Sequence, residues 1–178
     1  MSRLSTQAVA DASGPAAALF ATIARSLGKV PNAYATVGSN SPLALEAALH
    51  LEGALARGSL GAREREVVKL VVSEVAGCDY CLAAHTAMGK KVGLSGAAIV
   101  ALRHGEPSGD TRLDALAQFA RALVQSHGTV PSVVVAAVRQ AGFGDAEIVD
   151  TLLTIASITF TNLLNRVNDT ELDFPAAD

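Results

Sequence analysis

The chain has 178 residues, half of them hydrophobic and 4% aromatic, so one domain (residues 1–178) with a core of Ala, Val and Leu is expected. Its net charge of −3 comes without a cluster of Lys and Arg, which excludes a typical nucleic-acid-binding surface. The N-terminal residues lack the apolar stretch of a secretory signal and no run reaches the ~20 apolar residues of a membrane helix, so a cytoplasmic protein with no membrane partner is expected.

The mean hydropathy of +0.34 is high for a chain of this size. Surplus apolar surface of this kind predicts subunit contacts, and hence a homo-oligomer. The alternative is an Ala-rich helical protein whose composition alone raises the mean hydropathy.

Glycine and proline divide the sequence into segments of helical length, which predicts an all-α fold. Ser41, Ser95 and Asp110 or Thr111 precede apolar-periodic segments as N-caps do, and Gly77 stands where a left-handed C-cap is expected. In chain order, the predicted helices cover about 15–27, 42–57, 62–76, 78–92, 96–104, 111–127, 131 onward, and 145–164.

The tail 168–178 is predicted to be irregular, and two earlier segments hint at a weak internal repeat. Gly28-Lys29-Val30-Pro31 resembles Gly128-Thr129-Val130-Pro131, and each follows a Phe-Ala pair. Glu66-Val67-Val68 likewise resembles Glu147-Ile148-Val149, and the second copy then carries Thr159 and Asn162 where the first carries cysteines. A true repeat would therefore have kept one reactive half. Chance similarity between Ala-rich helices explains the pattern equally well.

The redox core is predicted at about 60–95, because Cys78, Cys81 and His85 are separated by three and then four residues. On a helix this spacing places the three side chains on one face. Two thiols at a helix start can close a compact disulfide, and in a reducing compartment such a pair is reactive or metal-binding rather than a structural crosslink.

The order of reaction can be predicted from the neighbours of each thiol. His85 lies one turn beyond Cys81 and can take its proton, so Cys81 is the expected attacking sulfur, and Cys78 would resolve its sulfenic acid. The helix dipole alone favours Cys78, but its ~0.3–1 kcal/mol is less than one pKa unit. Glu66 shares a helical face leading to Cys78 and is the expected partner of His85. Glu64 and Glu74 are the other candidates, and all three could instead be solvated.

Zinc is the main alternative to redox chemistry. The two cysteines and His85 could supply three ligands and leave a position for water. No second pair of cysteines exists to close a structural site, so no metal or other cofactor is predicted.

These residues resemble the alkylhydroperoxidase AhpD core within the carboxymuconolactone decarboxylase-like superfamily. Four features carry the resemblance: Glu66 twelve residues before Cys78, the motif Cys78-Asp79-Tyr80-Cys81, His85 four residues after Cys81, and Gly28-Lys29-Val30-Pro31-Asn32 with Ser41-Pro42. The ending Asn165-Arg166-Val167-Asn168 to Leu172-Asp173-Phe174-Pro175 resembles the tail of the peroxidase-related members.

The resemblance implies an AhpD-like helical fold, homo-oligomers and a thiol-dependent peroxidase that reduces a hydroperoxide substrate. In that cycle the cysteine matching Cys81 attacks, Cys78 resolves, and Glu66 and His85 occupy the proton-relay positions. Electrons would come from a lipoylated or other dithiol donor. Tyr80 stands where the best-studied members carry a second histidine, which makes it a candidate relay residue.

Two other functions are consistent with the sequence. A decarboxylase like the namesake of the superfamily would need no thiol pair. A redox-regulated interaction protein would form a stable disulfide without turning over peroxide.

Overall fold

The computed structural model describes residues 2–177, and these form an all-α fold without strands, as the sequence predicted. A short 3-10 turn (Val9–Asp11) precedes the helices. In chain order the helices are α1 (Gly14–Leu27), α2 (Asn32–Asn40), α3 (Pro42–Ala56), α4 (Ala62–Ala76), α5 (Asp79–Lys91), α6 (Gly96–His104), α7 (Thr111–Gln125), α8 (Ser132–Gln140) and α9 (Asp145–Asn168).

Local sequence signals fix most of the helix starts. Ser41 and Ser95 accept hydrogen bonds from backbone N–H groups of α3 and α6, and Asp110 accepts two from α7. Each bond satisfies an N–H group that has no partner within its own helix. The predicted starts of these three helices are therefore confirmed.

Two helices differ from the prediction. No helix is predicted between Pro31 and Ser41, whereas α2 spans Asn32–Asn40 with Pro31 as its N-cap. The small residues that follow Pro31 form only a weak periodic pattern, which is why the prediction is wrong here. The last helix runs to Asn168 instead of ending near Leu164. Two polar residues of its final turn are nevertheless buried, Asn165 at 4% exposed and Asn168 at 0%.

Helix α4 is the centre of the molecule and packs against α5, α6, α7 and α9. Five of its apolar residues in the run 67–72 are 0% or 1% exposed. A second, smaller cluster around Phe20, Val37 and Leu45 holds α1, α2 and α3 together. The main core therefore fixes the helices that carry the cysteines, while the second cluster forms the side of the molecule facing α9.

A tight turn joins α4 to α5 and positions the first cysteine. Gly77 has φ +60°, in the left-handed region that favours glycine. The backbone N–H of Cys78 donates to the carbonyl of Ser73, and that of Gly77 to Glu74, which is the Schellman pattern of helix ends. Cys78 is thereby placed at the N-cap of α5.

The two Gly-x-Val-Pro segments have the same local structure. Each joins a longer helix to a nine-residue helix, α1 to α2 and α7 to α8, with its proline as the N-cap of the shorter helix. The faint sequence repeat thus corresponds to a repeated helix–turn–helix unit.

By length and composition alone, α9 is the one described helix that could cross a membrane. Its buried face is polar, with Thr154, Asn162 and Asn165 packed into the protein. Its opposite face exposes an apolar stripe that includes Val149, Leu152, Phe160, Leu163 and Val167.

Candidate active site

Of the reactive residues that the sequence predicted, Cys81, His85 and Glu66 line one pocket of about 230 Å³, which is formed by residues of α1 to α5, α9 and the C-terminal tail. Apolar and aromatic side chains form much of the remaining wall, namely Leu27, Pro31, Ala33, Tyr34, Tyr80, Ala84, Met88 and Phe174.

His85 is oriented by Glu66. The Nδ1 atom of His85 lies 2.8 Å from Oε2 of Glu66, and both side chains are largely buried. Burial opposes ionisation of Glu66, but the nearby positive groups, His85 first and then Lys69, outweigh it and lower its pKa. An ionised carboxylate can only accept, so Nδ1 carries the shared proton and Nε2 is left for the pocket.

The other two glutamates of α4 have structural partners. Glu64 accepts from the backbone N–H of Gly61 and pairs with Arg112, while Glu74 pairs with Arg103 at 2.8 Å. Of the three candidates, Glu66 is the one that the structure brings to His85.

The two cysteines are reduced and buried, with Cys78 1% and Cys81 3% exposed. The neighbouring Cys81 thiol, aided by Arg166, outweighs burial and lowers the pKa of Cys78 to about 7. The Cys78 thiol and burial together raise the pKa of Cys81. The first thiolate of the pair therefore forms on Cys78.

The two sulfurs belong to different cavities. Cys81 lines the pocket that holds Glu66 and His85, whereas Cys78 lines a separate polar depression with Asp79, Arg166 and Asp169. A molecule bound in the main pocket thus meets Cys81 first, with Cys78 behind it.

Helix α9 supplies two groups that sequence reasoning missed. Asn165 donates from Nδ2 to the sulfur of Cys81 at 3.3 Å, and Thr161 lines the same pocket while its hydroxyl donates to the carbonyl of Ile158. Both side chains act to lower the pKa of Cys81 and partly oppose the effect of Cys78. Buried polar residues at helical spacing along α9 were the available sequence signal.

A second ion pair lines the same pocket. Lys69 of α4 donates to Oε2 of Glu52 of α3 at 2.6 Å, and Ser157 of α9 donates to the other carboxylate oxygen at 2.7 Å. Burial raises the pKa of Glu52, but Lys69 and Ser157 outweigh it, so the net pKa is lowered. Glu52, Lys69 and Ser157 were not predicted from the sequence as members of this site.

Tyr80 connects the pocket to the C-terminal tail. Its hydroxyl donates to Asp173 at 2.6 Å and accepts from the backbone N–H of Ala33. Asp173 also pairs with Lys29, and the ring of Phe174 packs edge-on against Tyr80. As far as residue 177, where the described part ends, the tail has no helix beyond Asn168, and its Phe174 closes one side of the pocket. The hydroxyl of Tyr80 is therefore bonded to the tail rather than to Glu66 or His85.

The zinc alternative finds no support in the arrangement of the described residues. Among residues 2–177, no group of three or more His, Cys, Asp and Glu side chains is arranged to hold a metal ion.

Comparison with known proteins shows which family the segment around this site resembles. Residues 42–122, which include α4, α5 and the Cys78–His85 segment, match the model of the carboxymuconolactone decarboxylase family. No curated protein matches the chain.

Several solved structures share the fold. A peroxidase-related protein from Ralstonia eutropha JMP134, described as an alkylhydroperoxidase AhpD core, is 21% identical with a TM-score of 0.84, over 97% of this chain and 92% of that chain. A peroxidase-related protein from Silicibacter sp. TM1040 is 22% identical with a TM-score of 0.80, over 96% and 91%. The debrominase Bmp8 in complex with 2,3,4-tribromopyrrole is 17% identical with a TM-score of 0.81, over 97% and 92%.

The family match covers the segment that carries the cysteines and His85, and the likeness in fold extends over nearly the whole chain. The chain therefore has the fold of AhpD-like proteins, and its segment 42–122 is similar to the carboxymuconolactone decarboxylase family.

Proposed function

We propose that this protein is a thiol-dependent peroxidase that reduces an organic hydroperoxide through Cys81 and Cys78. The observation that carries the proposal is the shared pocket, in which Cys81 meets the Glu66–His85 pair while Cys78 lies behind it. A thiol and a proton relay in one cavity provide the groups that break an O–O bond. A second thiol behind them can then convert the sulfenic acid to a disulfide.

In the first step, the sulfur of Cys81 attacks the distal oxygen of the hydroperoxide. The proton of Cys81 moves to Cys78, so the pair never carries two negative charges. The S–O bond forms as the O–O bond breaks, and the departing alkoxide takes a proton from Nε2 of protonated His85. The products are the alcohol, a sulfenic acid on Cys81 and neutral His85 held by Glu66.

In the second step, Cys78 attacks the sulfenic sulfur. The S–S bond forms, and the hydroxyl of the sulfenic acid leaves as water with the proton from Cys78. A dithiol or lipoylated donor then returns two electrons through a mixed disulfide, becomes a disulfide itself and restores both thiols.

The apolar stripe on α9 is the candidate contact between subunits of a homo-oligomer. It exposes Val149, Phe160 and Leu163, among others, and Asn165 of the same helix donates to the sulfur of Cys81. A second copy seated on this stripe would cover apolar surface and support the helix that holds the reactive sulfur.

Trapping of the sulfenic acid tests the proposal and the roles of the cysteines. Reduced protein is mixed with cumene hydroperoxide, and the adduct with a dimedone-type reagent is located by peptide mass spectrometry. The Cys78→Ser variant should accumulate the adduct on Cys81, and the Cys81→Ser variant should form far less adduct on Cys78. Both variants should lose turnover with dihydrolipoamide as the donor.

Equal rates of adduct formation on the two cysteines would overturn the assigned roles. A wild-type protein whose thiols react no faster than free cysteine would overturn the peroxidase function itself.

Reductive dehalogenation is a second candidate, favoured by the aromatic walls Tyr34, Tyr80 and Phe174 and by the likeness to a debrominase. Here Cys81 would take bromine from a bromopyrrole, the ring carbon would gain a proton, and Cys78 would displace bromide to form the same disulfide. Release of bromide from tribromopyrrole, measured beside hydroperoxide consumption, distinguishes the two functions.

A lyase reaction like that of the family's namesake is the third candidate function. It predicts that the protein turns over muconolactone and that Cys81→Ser leaves this turnover unchanged. Loss of the turnover in the variant would contradict the lyase function.

A further inference from the structure

Lys69 is a buried cation in the pocket wall that the two steps above do not use. The residue is 6% exposed, and the hydrogen bond described for its ammonium goes to Glu52. An ammonium carries three N–H groups. In a pocket of this size, the remaining donors require acceptors, and a bound molecule is the natural source of one.

Stability alone is a weak reason to bury this pair. Removing two charges from water costs several kcal/mol per ion, and well-packed apolar residues of similar volume often do as well. Lys69 also acts on Glu66, whose pKa it helps to lower, and His85 acts likewise on Glu52. The four groups therefore form one electrostatic cluster around the bound substrate.

We propose that Lys69 is a further catalytic residue, whose ammonium donates a hydrogen bond to the oxygen that leaves as an alkoxide when Cys81 attacks. This inference rests on the proposed peroxidase function and specifies its substrate as a neutral alkyl hydroperoxide. As the O–O bond breaks, its electron pair passes to the leaving oxygen. Lys69 stabilises that charge and keeps its own proton, while His85 supplies the proton that forms the alcohol.

The charges of the pocket favour a neutral substrate. With His85 protonated, the two carboxylates of Glu52 and Glu66 balance the two cations, so the walls offer no excess positive charge to an anion. The apolar remainder of the lining, including Leu27 and Met88, suits the carbon body of such a molecule.

Glu52 and Ser157 act as positioning residues for Lys69. Glu52 links the ammonium on α4 to the hydroxyl on α9, so three helices hold the donor in place. A donor fixed in advance stabilises developing charge without reorganising, which is why its loss is costly.

Two oxidants with different leaving groups test the role of Lys69. Oxidation of the reduced thiols is followed in single-turnover experiments with tert-butyl hydroperoxide, which releases a basic alkoxide, and with peracetic acid, which releases a stable carboxylate. Lys69→Met should slow the first reaction about 100-fold and the second about 3-fold or less, since a carboxylate needs little help to leave. Lys69→Arg retains a donor and should recover most of the lost rate.

Lys91→Met is the matched control, because Lys91 is exposed on α5 and lines none of the described pockets.

If Lys69→Met slows the reaction equally with both oxidants, Lys69 is only structural. That result would overturn the inference while leaving the peroxidase function intact. If Lys69→Met fails to fold, Glu52→Gln should show the same selective loss at smaller size. Wild-type thiols that react no faster than free cysteine would overturn the proposed function itself.

Discussion

The two ion pairs that line the pocket are alike in composition and different in what they can do. Glu66–His85 and Glu52–Lys69 each join a carboxylate to a cation, at 2.8 and 2.6 Å, and burial is outweighed in both carboxylates by nearby positive groups. An imidazole exchanges protons near neutral pH, whereas an ammonium ordinarily keeps its own. The first pair is therefore suited to moving a proton and the second to holding a developing charge.

Among the changes to the two ion pairs, Glu66→Gln is expected to have the largest effect on the rate of thiol oxidation. Glutamine cannot stabilise a protonated imidazole as a carboxylate does, so thiol oxidation by an alkyl hydroperoxide should slow by about 10²–10⁴-fold, and the pH dependence of the rate should change. Stopped-flow oxidation across a pH series measures both quantities.

Glu64→Gln and Glu74→Gln are the controls for Glu66→Gln, because these residues lie on the same helix and pair with Arg112 and Arg103. Both should retain the wild-type rate with some loss of thermal stability. A Glu66→Gln protein that oxidised as fast as these two would return Glu66 to a structural role.

Glu52→Gln should have a smaller effect, about 10-fold on the rate with an alkyl hydroperoxide, because Lys69 remains present but is held less firmly. Combined with Lys69→Met it should add little, since both changes remove one function. Combined with Glu66→Gln, the free-energy losses should be closer to additive. Full additivity of Glu52→Gln with Lys69→Met would show that Glu52 does not act through the lysine.

Acid should destabilise the fold through both pairs. Glu52 and Glu66 have lowered pKa values in the folded protein, so their contribution to stability is present above the ordinary glutamate value of 4.5 and is lost as pH falls through the folded values. At pH values below 4.5, the urea midpoint of the wild type should fall, and the midpoints of Glu52→Gln and Glu66→Gln should fall less.

Asp145→Asn is the control for the acid series, because Asp145 and its partner Arg139 are both exposed. This variant should follow the wild-type curve. A wild-type midpoint that stays constant on acidification would contradict the buried, ionised state of both glutamates.

Tyr80→Phe should have the smallest effect on rate. The change removes the hydrogen bonds to Asp173 and to the N–H of Ala33, which should cost about 1–2 kcal/mol of stability. Because the hydroxyl is bonded to the tail, the oxidation rate should stay within about 3-fold of wild type. A loss as large as that of Glu66→Gln would make Tyr80 a relay residue.

The sequence predicted His85 and a short set of candidate partners, with Glu66 as the first choice among three glutamates, because these residues are close along the chain. Cys78, Cys81 and His85 lie on one helix, where spacing alone fixes their common face, and Glu66 lies on the helix that leads into the same turn. The caps at Ser41, Ser95 and Asp110 are equally local, so the limits of those helices could also be predicted.

The second pair could not be predicted in this way. Glu52, Lys69 and Ser157 come from three helices, and no spacing rule relates them. The same holds for Asn165, which reaches Cys81 from 84 positions away, and for Asp173, which bonds Tyr80 from 93 positions away. Helix α2 was missed for a different reason, since its small residues give a weak periodic signal.

The sequence by itself therefore determined the all-α fold and the stripe that joins two thiols to an imidazole, because both follow from helical periodicity and local capping. The tertiary structure alone decided which carboxylate meets the imidazole, which sulfur faces the pocket and which buried lysine stands beside it. These depend on how α3, α4, α5 and α9 pack, and packing brings together residues that no local pattern connects.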